Sequence, residues 1–548
     1  MGKTKVADGK PRLNYPKTIL TGFGFMSTMI AWAIYDPYVT KILNRLLTDS
    51  PLVAQWSERI GNIPLLEPFM AINTAEGANL SGAFTLVPLF IGIIMTFDNI
   101  FGVVFQPLFG RLSDGCHSRF GKRRPFIMIG APISALLFAL IPLMGTLSLP
   151  ALMVCVILFV FVMSLWRSPV VALMPDLTPP ELHSSGNAVI NLVGSGLGTV
   201  LGMGAGMLVT TVYMAMKGIP KGGLEDEFVT FPYVFLFGSV IMIICTLVVT
   251  FCVKEKDSRL LSTDVLASRD YKERKAAEKK AKAEEKVARK AITLSRGEKI
   301  SLGFMLACLF FQFAATNSVQ TFFALFADEI LHRDVHSATS LTITLALSAG
   351  AAALPSGWLG RKLGRKKTIL LGMGLFMAAF GIFFAALVAT TRAHGTGING
   401  YVIANRSLLD AAKAAGMSIG SFMSQNPLLP GVSVVTAVLD MINTLIFPVL
   451  ALAGFGTMMV TVNTLPLVLE IGGVERIGTF TGYYYTATFS AQIVAPITFG
   501  FFRMFSGSYI SLFYFCPIML VLSLLMILFV RHGEAVPQEL IDQAEQAA

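Results

Sequence analysis

Apolar residues in this chain come in long unbroken runs, such as Leu149–Leu165, Phe231–Val253 and Tyr509–Val530. A helix needs roughly 20 apolar residues to cross the hydrocarbon core of a bilayer. Contiguous runs of this kind are not the weak alternating pattern of a membrane β-barrel. They predict twelve helical spans. Six fall at 18–41, 84–112, 125–146, 149–174, 186–213 and 231–253, and six at 301–329, 337–359, 367–390, 434–468, 478–503 and 509–530. The stretch from 434 is long for one crossing and predicts a short interfacial helix ahead of a crossing near 447–468. The fold class expected is an all-α membrane protein of twelve transmembrane helices in two six-helix bundles. Residues 1–253 form the first bundle, 254–300 a charged cytoplasmic linker, and 301–548 the second bundle with a short tail. Lys272–Lys290 is almost all Lys, Glu, Arg and Ala, which predicts a solvated helix supported by Glu–Lys neighbours.

Composition agrees. The chain is 54% hydrophobic and 14% charged, against about a quarter charged in soluble domains. The net charge of +10 does not imply nucleic acid, because the cations sit in short loops. Lys3, Lys5, Lys10, Arg12 and Lys17 precede the first span. Arg119, Lys122, Arg123 and Arg124 follow the second, and Arg361, Lys362, Arg365, Lys366 and Lys367 follow the eighth. All three groups fall on one side in a twelve-span count. The positive-inside rule makes that side the cytoplasm, with both termini there and the chain in an inner or plasma membrane. No cleavable leader is evident, since no small-residue cleavage site closely follows the first apolar run. Five cysteines (Cys155, Cys245, Cys252, Cys308, Cys516) lie in apolar runs and Cys116 in a basic loop. None has ligand spacing, so no metal or cofactor is implied.

The halves repeat. Gly110-Arg-Leu-Ser-Asp114 and Arg119-Phe-Gly-Lys-Arg-Arg-Pro125, with Gly121 inside, follow span two. Gly357-Trp-Leu-Gly-Arg361 and Leu363-Gly-Arg-Lys-Lys-Thr368, with Gly364 inside, follow span eight. A parallel repeat of this kind belongs to transporters whose two bundles rock against each other. The glycines allow close helix approach. Asp114 is placed to pair with a cation of a neighbouring span in one access state only. An ordinary positive-inside loop would explain the charges alone. The gating set is therefore Gly110, Asp114, Arg119, Gly121, Lys122, Arg123, Arg124, Gly357, Arg361, Gly364 and Arg365.

Phe105-Gln-Pro-Leu-Phe-Gly-Arg-Leu-Ser-Asp114 and Phe120-Gly-Lys-Arg-Arg-Pro-Phe-Ile127 resemble the signature of sucrose:proton symporters of the major facilitator superfamily. More distantly, they resemble the glycoside–pentoside–hexuronide:cation symporters. Pro169–Thr178, Asn187–Asn191, Gly454–Gly456 and Val462–Pro466 fit the same group. The resemblance implies the major facilitator fold and proton-coupled uptake of a disaccharide or glycoside. Charged site residues of those families fall on Val160, Val171, Gln106 and Arg167 here. The scaffold therefore carries over, and neither family's polar-site chemistry does so intact.

Ionisable residues inside a span are costly and usually face a cavity. Asp98 lies about 24 Å along the helix from Asp114. It is either the group that takes and releases a coupling proton or an acid hydrogen-bonded to a neighbouring helix. Arg167 either binds substrate, as a carboxylate or as sugar hydroxyls, or forms an ion pair, with Asp98 for instance. Asp36 is either an exposed interfacial acid or a substrate contact, and Asp328 and Asp440 are expected at the interface. Trp166 and Tyr484 offer aromatic faces. Asn99, Gln106, Asn191, Gln312, Asn317, Gln320, Asn463 and Gln492 offer amides. Polar residues also join helices, but as a set these favour a small polar, hydrogen-bonding solute over an apolar one, and the resemblance makes that solute a sugar. Gly198 and Gly202 form a GxxxG packing motif. The absence of any phosphate loop points to an ion or solute gradient as the driving force, and the resemblance implies a proton or another monovalent cation as partner. The expected molecule is a monomer and not an enzyme. An organic-anion transporter using Arg167 as counter-charge and a non-transporting solute sensor are the alternatives.

Overall fold

The computed structural model of the 548-residue chain describes residues 13–64, 85–116, 118, 120–177, 186, 189–219, 226–253, 295–472 and 477–532. The charged linker, as far as residue 294, and Arg119 lie outside them, as do the residues before 13. The described residues are helical and contain no β-strand. The helices are α1 (Tyr15–Thr48), α2 (Pro51–Gly61), α3 (Val87–Ile94), α4 (Phe97–Asp114), α5 (Arg124–Leu147), α6 (Leu149–Leu177), α7 (Thr199–Lys217) and α8 (Phe231–Cys252). After the linker come α9 (Arg296–Ile330), α10 (Val335–Lys362), α11 (Arg365–Ala393), α12 (Ile398–Ala414), α13 (Ile419–Gln425), α14 (Val432–Gly472), α15 (Ile477–Ser506) and α16 (Leu512–Leu528).

Ten spans among the described residues are long and apolar enough to cross a membrane, counting α3 with α4 as one. α10 and α15, of 28 and 30 residues, occupy the eighth and eleventh expected positions with more polar sequences. The expected interfacial helix before span ten is absent, because α14 runs unbroken for 41 residues. Its Pro448 and Pro466 sit inside the helix, where neighbouring helices can re-satisfy freed backbone groups.

Two spans are interrupted. Span two breaks at Met95–Thr96 between α3 and α4, where the Thr96 hydroxyl donates to the Ile93 carbonyl at 2.7 Å. A threonine that bonds its own backbone competes with the helical ladder. Span five carries a π-helical turn at Leu192–Gly198 ahead of α7. Its glycines lie against α1: a Cβ on Gly194 would sit 2.2 Å from the Phe25 ring, and one on Gly202 would sit 2.6 Å from Ala33 Cβ. Start signals are local. Ser295 and Glu298 form a reciprocal capping box at the start of α9, and Asp334 caps α10 by accepting from Ser337 N at 2.9 Å.

The chain divides into two compact units. One comprises Met1–Ile34, Ile100–Ala205 and Pro232–Ala291. In it α5 packs along α6. The other comprises Tyr35–Asn99, Gly206–Phe231 and Ile292–Ala548. Within this second unit α14 packs on α10 and α11, and α9 on α15 and α16. An apolar cluster of Met305, Leu309, Met373, Val460 and Leu467 lies between them. α3 also lies on α15 there. A Cβ on Gly92 would come within 2.2 Å of the Pro496 carbonyl oxygen, and one on Gly500 within 2.4 Å of the Pro88 carbonyl oxygen. Backbone touches backbone at both points, so no side chain can yield. Gly92→Val is therefore expected to destabilise the protein by about 1–3 kcal/mol. Thermal unfolding followed by tryptophan fluorescence in detergent would report a lower midpoint than wild type.

Candidate functional site

Within each unit, ion-paired side chains gather near helix ends, and isolated polar residues lie elsewhere along the helices. At the end bearing the basic loops, Arg123 is 6% exposed and acts as a hub of the first unit. Its Nε donates to Asp176 Oδ2 at 2.8 Å and its Nη1 to the Gly110 carbonyl at 3.2 Å. It also donates to Asp114 Oδ1 and to the Ser113 hydroxyl. Gly121, at φ 117°, makes the turn that delivers it. Arg124 donates to the Thr250 carbonyl, and Lys122 is exposed. The second unit repeats the pairing: Gly364 turns at φ 89°, and Arg365 Nε donates to Glu470 Oε1. Asp176 ends span four and Glu470 ends span ten, so the ion pair recurs at equivalent places. The second copy has no counterpart of Asp114; Gly357 lies one turn before Arg361 in α10. Sequence reading named the arginines but missed both partner acids, because each stands at the far end of another span.

Among the midspan candidates, Asp98 opens α4 directly after the break in span two. Its Oδ1 accepts from Asn99 N at 2.7 Å and from Asn99 Nδ2 at 2.9 Å. A carboxylate in the first turn of a helix meets unpaired N–H groups and the positive end of the helix dipole. Gln106 lies one turn above Gly102 on the same helix. Arg167 lies over the Trp32 ring, 5.6 Å from its centroid. Trp166 is fully buried, its indole N–H donating to the Ser134 hydroxyl at 2.8 Å. That ring is committed to helix packing and is no platform for a solute. Asn191 is exposed immediately before the π turn, and Asp36 is half-buried in α1.

Gln312 in α9 differs from every other amide of the set. It is 3% exposed, and both its amide nitrogen and its amide oxygen are buried with no hydrogen-bond partner. Asn317 donates to the Phe313 carbonyl at 2.9 Å, and Asn463 donates to the Ser356 and Met459 carbonyls at 3.2 and 2.9 Å. Both are engaged with backbone. Gln320 is exposed, Gln492 half-buried and Tyr484 buried.

At the opposite end of the second unit, Lys41 Nζ lies 2.8 Å from Glu227 and 2.7 Å from Asp328. Glu329 accepts from Arg503 Nη2 at 3.0 Å and from Tyr509 N at 3.0 Å. Asn405 of α12 donates to the Glu329 carbonyl at 2.8 Å, so the end of α9 is tied from several directions. Sequence reading placed Asp328 at the interface and missed Lys41 and Glu227. Burial pushes His332, in the turn between α9 and α10, below the ordinary histidine value, against the opposing Asn405 amide and the charges of Asp328 and Glu329.

The sequence pattern of the Major Facilitator Superfamily matches residues 18–429, and the chain belongs to that family. It is a multi-pass membrane transporter and not an enzyme. Sucrose transport protein SUC3 of Arabidopsis thaliana is 28% identical over 193 residues, a stretch covering 28% of this chain and 29% of that protein. Among solved structures, the fold is similar to a bacterial homologue of the human lysosomal transporter Spinster. That structure is inward-facing and occupied, with TM-score 0.57, 11% identity and coverage of 94% and 95%. It is also similar to a D-xylose–proton symporter, with TM-score 0.52, 14% identity and coverage of 95% and 98%. These structural likenesses concern the fold alone.

Arg123 is buried while Asp114 and Asp176 are 63% and 39% exposed. The coupling of Arg123 with Asp176 in a double-alanine cycle should therefore be about 1–2 kcal/mol, below the 3–5 of a wholly buried pair. Chemical or thermal unfolding of the four proteins measures it.

Proposed function

We propose that the chain is a proton-coupled symporter of a disaccharide or glycoside. It works by alternating access of residues 1–253 against 301–548, with the basic loops facing the cytoplasm. The observation that carries the reading is Gln312. A buried polar group without a partner costs about 1–3 kcal/mol, and Gln312 has two such groups. An occupant that restores both must donate and accept hydrogen bonds, as a sugar hydroxyl does. A carboxylate only accepts and would leave the amide oxygen unsatisfied. The partial likeness to a sucrose transport protein supports the same substrate class.

Asp98 is the coupling residue in this reading. It begins a half-helix inside a broken span, the place where transporters of many folds bind their ions and substrates. Its proton is taken with substrate on one side and released on the other. Arg167 remains the counter-charge of the competing reading, an organic-anion carrier.

Two substitutions separate these roles. Gln312→Met removes the unsatisfied amide while keeping its volume. It should raise the apo melting midpoint and weaken half-saturation by a disaccharide about ten- to a hundredfold, two neutral hydrogen bonds lost. Asp98→Asn should keep sugar counterflow in proteoliposomes and lose uphill uptake driven by a pH gradient. Exchange of carboxylates but never of neutral sugars, abolished by Arg167→Ala, would replace the sugar reading. Binding without flux would replace transport by sensing.

A further inference from the structure

Around the Lys41 ion pairs lies a second layer of hydrogen bonds, confined to the second unit. His336, in the first turn of α10, is 2% exposed. Its Nδ1 is 2.8 Å from the Tyr38 hydroxyl of α1 and its Nε2 is 2.8 Å from the Thr230 hydroxyl just before α8. The Thr230 hydroxyl proton is already donated to the Glu227 carbonyl at 2.7 Å. Nε2 must then be the donor to Thr230, which leaves Nδ1 to accept from Tyr38. The hydrogen bonds thus select the neutral Nε2–H form of the ring. Glu227 Oε2 accepts from Val335 N at 2.7 Å, and its other oxygen meets Lys41. Gly206 of α7 leaves the space for this contact, since a Cβ there would sit 1.7 Å from the Tyr38 hydroxyl. Spans one, six, seven and eight are thereby fastened at one point, with span five packed against it.

We propose that this knot is the latch that holds the outer end shut, and that external acid releases it through His336. The orientation is the one proposed above, in which the end opposite the basic loops faces outward. The charged and titratable groups around the ring are Tyr38 and Lys41 from α1, Glu227 before α8, Asp328 from α9 and Asp334 at the cap of α10. Arg45 and Asp226 form a looser pair at the rim, 3.4 Å apart. A proton on Nδ1 takes away the acceptor that Tyr38 uses and adds a second cation beside Lys41.

The sign follows from linkage. In the latched state the ring is neutral. Once the outer end opens and the ring meets water, it takes a proton near the ordinary histidine value of about 6.5. The open state then holds one more proton than the closed state at lower pH. Each pH unit below that value favours opening by up to about tenfold, and above about pH 7 the latch has its full strength. Acid outside would so favour the state that loads from outside. No substrate or gradient enters this argument, so it stands or falls apart from the symport reading.

Electron–electron distance measurements between spin labels test it. The labels go on Thr48→Cys, at the end of α1, and Ser407→Cys, on α12, in a chain with its native cysteines replaced. α12 reports on the end of α9 through the Asn405 and Tyr401 hydrogen bonds to Glu329 and Ile330. In lipid nanodiscs, a single short distance is expected at pH 8 and a growing long component at pH 5.5. His336→Gln can accept from Tyr38 and donate to Thr230 without titrating, and it should stay short across this range. Tyr38→Phe should show the long component already at pH 8, whereas Asp98→Asn should respond like wild type. A wild type that does not change with pH, or a His336→Gln variant that changes as wild type does, would overturn the proposal. So would a Tyr38→Phe distribution identical to wild type at pH 8.

Discussion

An unpaired charge or hydrogen-bonding group in an apolar medium is expensive, and that cost organises this molecule. The chain is so apolar that each buried polar side chain must find a partner or hold a place for one. Arg123 answers with two carboxylates, a hydroxyl and a carbonyl. Lys41 answers with two carboxylates at the other end. These polar contacts join helices that apolar packing alone would leave without a fixed register, because lipid is as good an apolar partner as another helix.

The exception to pairing is then informative. Gln312 is buried with neither amide atom engaged, whereas Asp98, seated where a helix begins again inside span two, accepts from Asn99. In a family that moves solutes, a group left unsatisfied at low dielectric is stabilised when a solute arrives. In the proposed alternating-access cycle the ion pairs at the helix ends have the complementary role: they would be whole in one state and broken in another. Pairs that are partly exposed suit this, since water can take over their charges at modest cost.

What could be read from the sequence was what is local. Long apolar runs gave the spans, Ser295-x-x-Glu298 marked the start of α9, and the two basic loops revealed the repeat. Asp98 stood out because a charged residue within an apolar run is conspicuous by itself, whereas Gln312 was one of eight amides with nothing local to set it apart. The partners did not stand out. Asp176 and Glu470 end their spans, where acids are ordinary, and their meaning arises only when the chain brings Arg123 and Arg365 beside them. Lys41, Glu227 and Asp328 come from three well-separated segments, and His336 from a fourth. Trp166 was read as a face for a sugar because ring and polarity are visible in sequence, whereas its burial against Gly130 and Ser134 is not. The break at Met95–Thr96 was hidden for a different reason. The residues around it are as apolar as those of an intact helix, so hydropathy carried no mark of it.

Direct evidence on the central claim would come from proteoliposomes holding a trapped pH dye, with no pH gradient imposed and a disaccharide added outside. Proton-coupled symport predicts acidification of the lumen that rises with sugar concentration and disappears in Asp98→Asn. Sugar entry with no change in luminal pH, or acidification evoked only by organic acids, would contradict it.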